Sequence, residues 1–287
     1  MKISEAFINA LLADATYALG SKTEDGMTGT KLEDCNEGKL KERMTPALAK
    51  YIGDNFTVVT HIETDDIIGS GFDATVWKDN NSGKLYVSMQ GTVGMADFLA
   101  DISLATLNSA AGRQLVDMVN WWLCISTPKG EMAQQIKILA HSSGADFVFV
   151  NAPPVAGEGL ITAEDLEKGI EVNGHSLGGY LASAFTRLFG TQANVSHTST
   201  FNSAGFAPGS EEVFVNLQNL IGVGNGLGCF PNASEQTNYF AANGINVTTN
   251  SFWFNQVGQR DVVLCKPIVK GGKMVNTRFH TWITASS

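Results

Sequence analysis

The sequence predicts an α/β fold: a mostly parallel central sheet flanked by helices, in a single domain over residues 1–287. Three observations predict it. In the middle of the chain, apolar and β-branched segments alternate with segments of helical periodicity, the pattern of strands joined by crossover helices. A glycine-rich turn, Gly174-His175-Ser176-Leu177-Gly178-Gly179, joins one such strand to one such helix. The chain has 287 residues, 44% hydrophobic and only 16% charged, which suits a large buried core and not a disordered polymer.

The elements follow in order. Residues 1–52 read as helical, with Ser4 fitting the N-cap of a helix over 6–19 and a polar loop near 20–29. Residues 57–63 are rich in β-branched side chains and read as a strand. Segments 74–78 and 84–89 flank Asp79-Asn80-Asn81-Ser82-Gly83, a hairpin turn composition. Helical patterns follow at 96–104, 113–126 and 131–141. Residues 169–173 read as a short buried strand and 177–189 as a helix. Segments 199–202 and 252–257 read as further buried strands. Residues 206–250 are rich in Gly and Asn around an apolar helix-like run, 213–221, and read as a candidate lid or insertion.

Charge is unevenly placed. The total is −9, yet beyond Ser176 there are six bases (Arg187, Arg260, Lys266, Lys270, Lys273, Arg278) against four acids (Glu211, Glu212, Glu235, Asp261). No block of Lys and Arg appears, which argues against a nucleic-acid partner. Cys35, Cys124, Cys229 and Cys265 form no CxxC pair, so neither a zinc site nor a thioredoxin-like motif is indicated; buried thiols and up to two disulfides both fit. Glu5 and Asp14 interrupt the apolar character of the N-terminus, so a cleaved secretion signal is not expected. No apolar run reaches the length of a membrane span. A cytoplasmic location and export without such a signal both remain open.

Gly174-His175-Ser176-Leu177-Gly178 fits G-x-S-x-G, a serine on a sharp strand-to-helix turn. Small residues two before and two after let neighbouring backbone approach, and the helix N-terminus offers N–H groups to a developing oxyanion. A serine nucleophile needs a base, and the base an orienting acid. His197 comes directly before a strand and too early in the chain, leaving His280 as the base. Asp261 is the sole aspartate after Ser176, with Glu235 in reserve. The expected set is Ser176–Asp261–His280. The oxyanion donors are expected at Leu177 and at Thr92, which follows the strand-ending Met89-Gln90-Gly91.

With these residues in place, the chain resembles the lipase class 3 branch of the α/β-hydrolases, most of all bacterial extracellular lipases and phospholipases A1. The resemblance rests on Met89-Gln90-Gly91-Thr92 with Asp97-Phe98-Leu99-Ala100-Asp101, on 174–188, on Thr200-Phe201-Asn202-Ser203-Ala204-Gly205-Phe206, and on Asp261 and His280. Two features depart from the family pattern: Gln90 replaces a common Arg, and Asn202-Ser203-Ala204-Gly205 replaces Gly-x-Pro-Arg. The resemblance implies an α/β-hydrolase fold, Ser176 as nucleophile and Thr92 in the oxyanion hole. It implies a secreted enzyme that releases fatty acids from lipids at a membrane or micelle surface, with phospholipase A1 as the leading activity. Triacylglycerol lipase is the alternative of like chemistry. An inactive hydrolase fold that binds lipid or protein is the alternative of another class.

No cofactor is required by this chemistry. Some relatives bind calcium, but no D-x-[DN]-x-[DN]-G loop is present. An accessory or inhibitory protein has no sequence signature here. Apolar substrate lining or a lid is expected from Trp121 and Trp122, or from Val213, Phe214 and Leu217, with Leu227 and Phe230 nearby.

Overall fold

The computed structural model describes residues 3–64, 70–91, 110–140, 147–223, 233–241, 255–263, 268–270 and 273–275. The chain opens with helix α1 (Ile3–Ala15) and a 3-10 turn (Thr16–Ala18), where one longer helix was expected. Helices α2 (Gly29–Glu33), α3 (Cys35–Arg43) and α4 (Pro46–Asn55) follow. Pro46 at the first position and Thr45, whose hydroxyl accepts from the Leu48 N–H, fix the start of α4.

Strands β1 (Phe56–Glu63), β2 (Asp73–Asp79) and β3 (Leu85–Met89) pair antiparallel, with Trp77 opposite Tyr86. The Asp79 carboxylate accepts from the N–H groups of Asn81 and Ser82 and so forms the expected turn. After helix α5 (Ala110–Ser126) come strands β4 (Met132–Ala140) and β5 (Phe147–Ala156), a separate antiparallel pair, and the short helix α6 (Ala163–Glu167). Strand β6 (Ile170–His175), helix α7 (Leu177–Phe189), strand β7 (Val195–Phe201), helix α8 (Ser210–Ile221), strand β8 (Gln236–Ala241) and strand β9 (Gln259–Val263) follow. Strands β10 (Ile268–Lys270) and β11 (Lys273–Val275) pair with each other.

Among the described residues, seven strands form the main sheet in the order β1-β2-β3-β6-β7-β8-β9. From β3 onward all neighbours are parallel. One face carries Val87, Met89, Ile170 and Val172 against Trp122 of α5 and Leu181 and Phe185 of α7, the larger core. The other carries Val58, Trp77 and Tyr86 against Leu11, Leu32, Leu40 and Ile52 of the N-terminal helices. Alternation along β3 sends successive side chains to opposite cores. The result is a three-layer α/β architecture, mostly parallel at its centre.

Two expectations meet a different outcome. Residues 131–141 were expected to be helical and instead supply β4. Ala, Gln, Lys and Leu favour a helix there, but pairing with β5 and a clasp from α5 override propensity. The Asn120 side chain donates to the Ile136 carbonyl at 2.9 Å and accepts from the Ile136 N–H at 2.8 Å, completing the strand's outer edge. The last sheet strand, β9, begins at Gln259, after the expected segment 252–257. Of that segment, Asn255 forms an isolated bridge with Phe206, and 252–254 lie outside the described residues. The helix expected at 96–104 lies outside them as well.

Candidate active site

The site is assembled where β6 ends. Ser176 sits between β6 and α7 with φ 58° and ψ −120°, a backbone conformation that L-residues rarely adopt. Its N–H donates to the Phe201 carbonyl at 3.0 Å, and its carbonyl accepts from Gly179 and Tyr180 as the first turn of α7 closes. Ser176 holds the N-cap position, yet its hydroxyl makes no capping hydrogen bond. A serine at an N-cap ordinarily turns its oxygen back onto the helix. Here the twisted backbone keeps Oγ out of that role.

The glycines explain why the turn can be this tight. A Cβ on Gly174 would collide with the Gly178 carbonyl, and one on Gly178 with the carbonyl oxygen of Met89. A Cβ on Gly91 would lie 2.5 Å from the His175 carbonyl oxygen and 3.2 Å from the Leu177 nitrogen. The end of β3 and the elbow are therefore in backbone contact, and Leu177 is buried at their junction. The N–H of Gly91 points to Tyr17 Oη at 2.8 Å, so the Leu177 N–H and the residue after Gly91 are left as the candidate oxyanion donors. That residue is Thr92, which lies outside the described residues.

The side of β6 opposite the larger core carries a polar row, Glu171, Asn173 and His175. Each member has a partner. Lys84 Nζ donates to Glu171 at 2.7 Å, and Asn9 bridges Glu171 and Asn173 at 3.3 and 3.0 Å. Tyr17 Oη lies 3.3 Å from His175 Nδ1. Removal from water drives the His175 imidazole down to about 4, with the Asp14 carboxylate opposing and Arg43 adding to the effect. His175 is therefore neutral at pH 7.

Asp261 lies in β9, with a carboxylate that accepts from Gln259 Nε2 at 2.7 Å. Register carries it to the height of the elbow: His175 pairs with Phe201, Phe201 with Tyr239, and Tyr239 with Asp261. Three strand spacings separate it from His175, about 14 Å. His280 lies outside the described residues. The structure thus brings Ser176, Leu177 and Gly91 together and sets Asp261 in the same row of the sheet.

The candidate lining residues are largely in the core. Trp121 and Trp122 belong to the larger cluster, with Trp122 edge-on to Phe185 at 4.7 Å. On α8, Phe214 and Leu217 are buried and Val213 is partly buried. An aromatic series connects α8 to α7: Tyr180 lies 4.8 Å from Phe206, and Phe206 5.5 Å from Phe214. Arg187 of α7 is buried and donates to Glu211 and to Gln218 of α8, the latter at 2.8 Å, which fastens the two helices.

Sequence reasoning missed Tyr17, Arg43 and Asp14 around the elbow. Tyr17 is 74 positions from Gly91 and 158 from His175, so no local spacing could announce it. Among the described residues, no group of three or more His, Cys, Asp or Glu is placed to hold a metal ion, and no helix is long and apolar enough to cross a membrane. Cys35 and Cys124 are free thiols.

No protein-family model and no curated protein matches the chain. Solved structures similar to it include Lip2 lipase from Yarrowia lipolytica, at 14% identity over 90% of this chain and 77% of that one, with a TM-score of 0.47. The native propeptide complex of Rhizomucor miehei lipase is similar at 11% identity, 92% and 70% coverage and a TM-score of 0.41. The lipase from Rhizopus microsporus var. chinensis is similar at 10% identity, 92% and 76% coverage and a TM-score of 0.42. At this identity and overlap, the chemistry rests on the site's own geometry.

Proposed function

We propose that the chain is a serine-dependent carboxylic ester hydrolase that releases fatty acids from lipids. One observation carries the reading: Ser176 is held at φ 58° and ψ −120° on a strand-to-helix turn, with its hydroxyl kept off the helix it begins. Strain of this kind costs on the order of 1–3 kcal/mol and persists where function requires it.

In the proposed reaction, Ser176 Oγ attacks the ester carbonyl. His280 takes the hydroxyl proton and returns it to the leaving alkoxide. Water then attacks the acyl-enzyme by the same relay and frees the fatty acid. Asp261 holds the imidazole in its productive tautomer, a role supported by its position in the row of His175. The N–H groups of Leu177 and Thr92, with the Thr92 hydroxyl, stabilise the tetrahedral oxyanion. The close approach of the Gly91 turn to the elbow, where a Cβ on Gly91 would lie 3.2 Å from the Leu177 nitrogen, supports that pairing. Loss of one such donor costs roughly 3–4 kcal/mol of transition-state stabilisation.

Phospholipid is the leading substrate class, cleaved as by a phospholipase A1 at a membrane or micelle surface, with triacylglycerol as the alternative. An acyl-chain path beside the nucleophile helix, edged by Val213 and Leu217, would require the packed series Tyr180–Phe206–Phe214 to open, since Phe206, Phe214 and Leu217 are buried. A lining role for Trp121 and Trp122 would require them to turn out of the core. The slight excess of bases beyond Ser176 suits an anionic surface. Product analysis on a phospholipid with different acyl chains at its two positions, run beside a triacylglycerol, tests the substrate class. Release of the sn-1 chain with slow triacylglycerol turnover is expected; the reverse preference would assign a triacylglycerol lipase.

A further inference from the structure

The end of β3 must stay pressed against the elbow if the two oxyanion donors are to converge, and one side chain from a distant part of the chain connects the two. The Gly91 N–H donates to Tyr17 Oη at 2.8 Å, and the same oxygen lies 3.3 Å from Nδ1 of His175, the residue before the nucleophile. A phenol has one proton and two lone pairs. Once Oη accepts from Gly91, its proton is left for His175 Nδ1, which as a neutral imidazole with its hydrogen on Nε2 can accept.

Tyr17 is itself held. The Arg43 guanidinium lies 4.5 Å above the centre of its ring. Arg43 is fixed in turn by the fully buried Asp14 of α1, through Nε at 3.0 Å and Nη2 at 2.7 Å to the carboxylate and Nε at 2.8 Å to the Asp14 carbonyl. The phenol also meets His175 ring to ring, centroids 6.2 Å apart, edge on. Glu171, Asn173 and His175 all have partners on this face, but only the last of these contacts reaches across to the oxyanion turn. Removing Oη would leave the Gly91 N–H without its acceptor while leaving the aromatic packing in place.

We infer that Tyr17 is a positioning residue for catalysis: its hydroxyl ties the Gly91 turn to the nucleophile elbow and so sets the distance between the two oxyanion donors. The inference rests on the serine-hydrolase reading. Tyr17 touches no reacting atom, and its effect passes through Gly91 and His175. Small displacements of oxyanion donors are costly, since a donor lost altogether lowers turnover by about 10²–10³. A loosened pair should lose about tenfold to a hundredfold.

The test compares Tyr17→Phe with the unmodified chain on a soluble short-chain p-nitrophenyl ester, and measures the rate at which a fluorophosphonate labels Ser176. Both processes place an oxygen in the same hole. The inference predicts that kcat and the labelling rate fall together by tenfold or more, with KM changed less than twofold. Thr186→Val serves as the structural control. It removes a buried hydroxyl pair with Thr198, 2.5 Å apart, on the far end of α7. It should lower the melting temperature and leave kcat within about twofold. A folded Tyr17→Phe with kcat within twofold of the unmodified chain overturns the inference. If that variant does not fold, His175→Asn and His175→Leu decide: the first keeps an acceptor near the position of Nδ1 and should retain about tenfold more kcat, and equal values overturn the inference. An unmodified chain that is folded yet neither labelled nor active would instead overturn the hydrolase reading.

Discussion

Gly178 and Met89 meet without room for a side chain: the place a Cβ would occupy on Gly178 falls on the Met89 carbonyl oxygen. The contact joins helix α7, which follows Ser176, to strand β3, which leads into the Gly91 turn. Gly178→Ala must drive the two apart. Overpacking of rigid backbone costs typically 1–3 kcal/mol, and more where neither side can yield. The expected outcome is a urea midpoint lowered by an amount equivalent to about 3 kcal/mol, with ester turnover lost. The same assay on Gly209→Ala serves for comparison. Gly209 meets no neighbouring atom at the Cβ position, so only its left-handed conformation, φ 87°, opposes the change.

The strain at Ser176 predicts opposite effects on stability and activity. Glycine tolerates φ 58° at no steric cost. Ser176→Gly should therefore raise stability, by about 1 kcal/mol once the added freedom of the unfolded chain is deducted. Turnover should vanish in the same variant. Calorimetry beside an esterase assay reads both.

Arg187 is 1% exposed, while its partner Glu211 is 39% exposed. Removing the acid leaves a charge buried with only Gln218 for company. Removing the base frees the acid, on a side chain already 39% exposed, to turn its carboxylate to water. Glu211→Ala should thus destabilise by about 2 kcal/mol or more, and Arg187→Met by less. Denaturation midpoints of the two variants give the comparison.

His61 supplies a pH dependence. It lies on β1 beside Asp73, 3.8 Å away, with Nδ1 bonded to the Thr75 hydroxyl at 2.9 Å. Burial drives its imidazole from 6.5 down to about 4, against a smaller opposing hydrogen bond at Ala74. The unfolded chain then binds the proton first on acidification. Stability should fall as pH drops from about 6.5 towards 4, by on the order of 3 kcal/mol over the whole interval. His61→Asn should flatten that slope between pH 7 and 5.5, where ordinary carboxylates contribute little. Urea midpoints across that interval measure it.

The elbow was legible because its chemistry is local: two glycines, a serine and the flanking strand and helix all lie within twenty residues. The β2–β3 hairpin was legible for the same reason, with its turn spelled out by Asp79 to Gly83. Strand β4 was not, because Met132 to Ala140 has the composition of a helix and is made a strand by Asn120 and by β5. Strand β8 is not legible because Gln236, Thr237 and Asn238 are polar yet buried, with Asn238 donating to Gln256 at 3.0 Å. The tie from Tyr17 to Gly91 was invisible for a different reason: it depends on how the N-terminal helices pack across the sheet, which no spacing in the sequence encodes.

Active-site labelling decides whether Ser176 is the nucleophile. The folded chain is treated with a fluorophosphonate, and the modified residue is located by mass spectrometry of its peptides. The expected result is one label per chain, on Ser176, with ester turnover lost in proportion and no labelling of Ser176→Ala. Labelling at another residue, or near-normal turnover by Ser176→Ala, would contradict it.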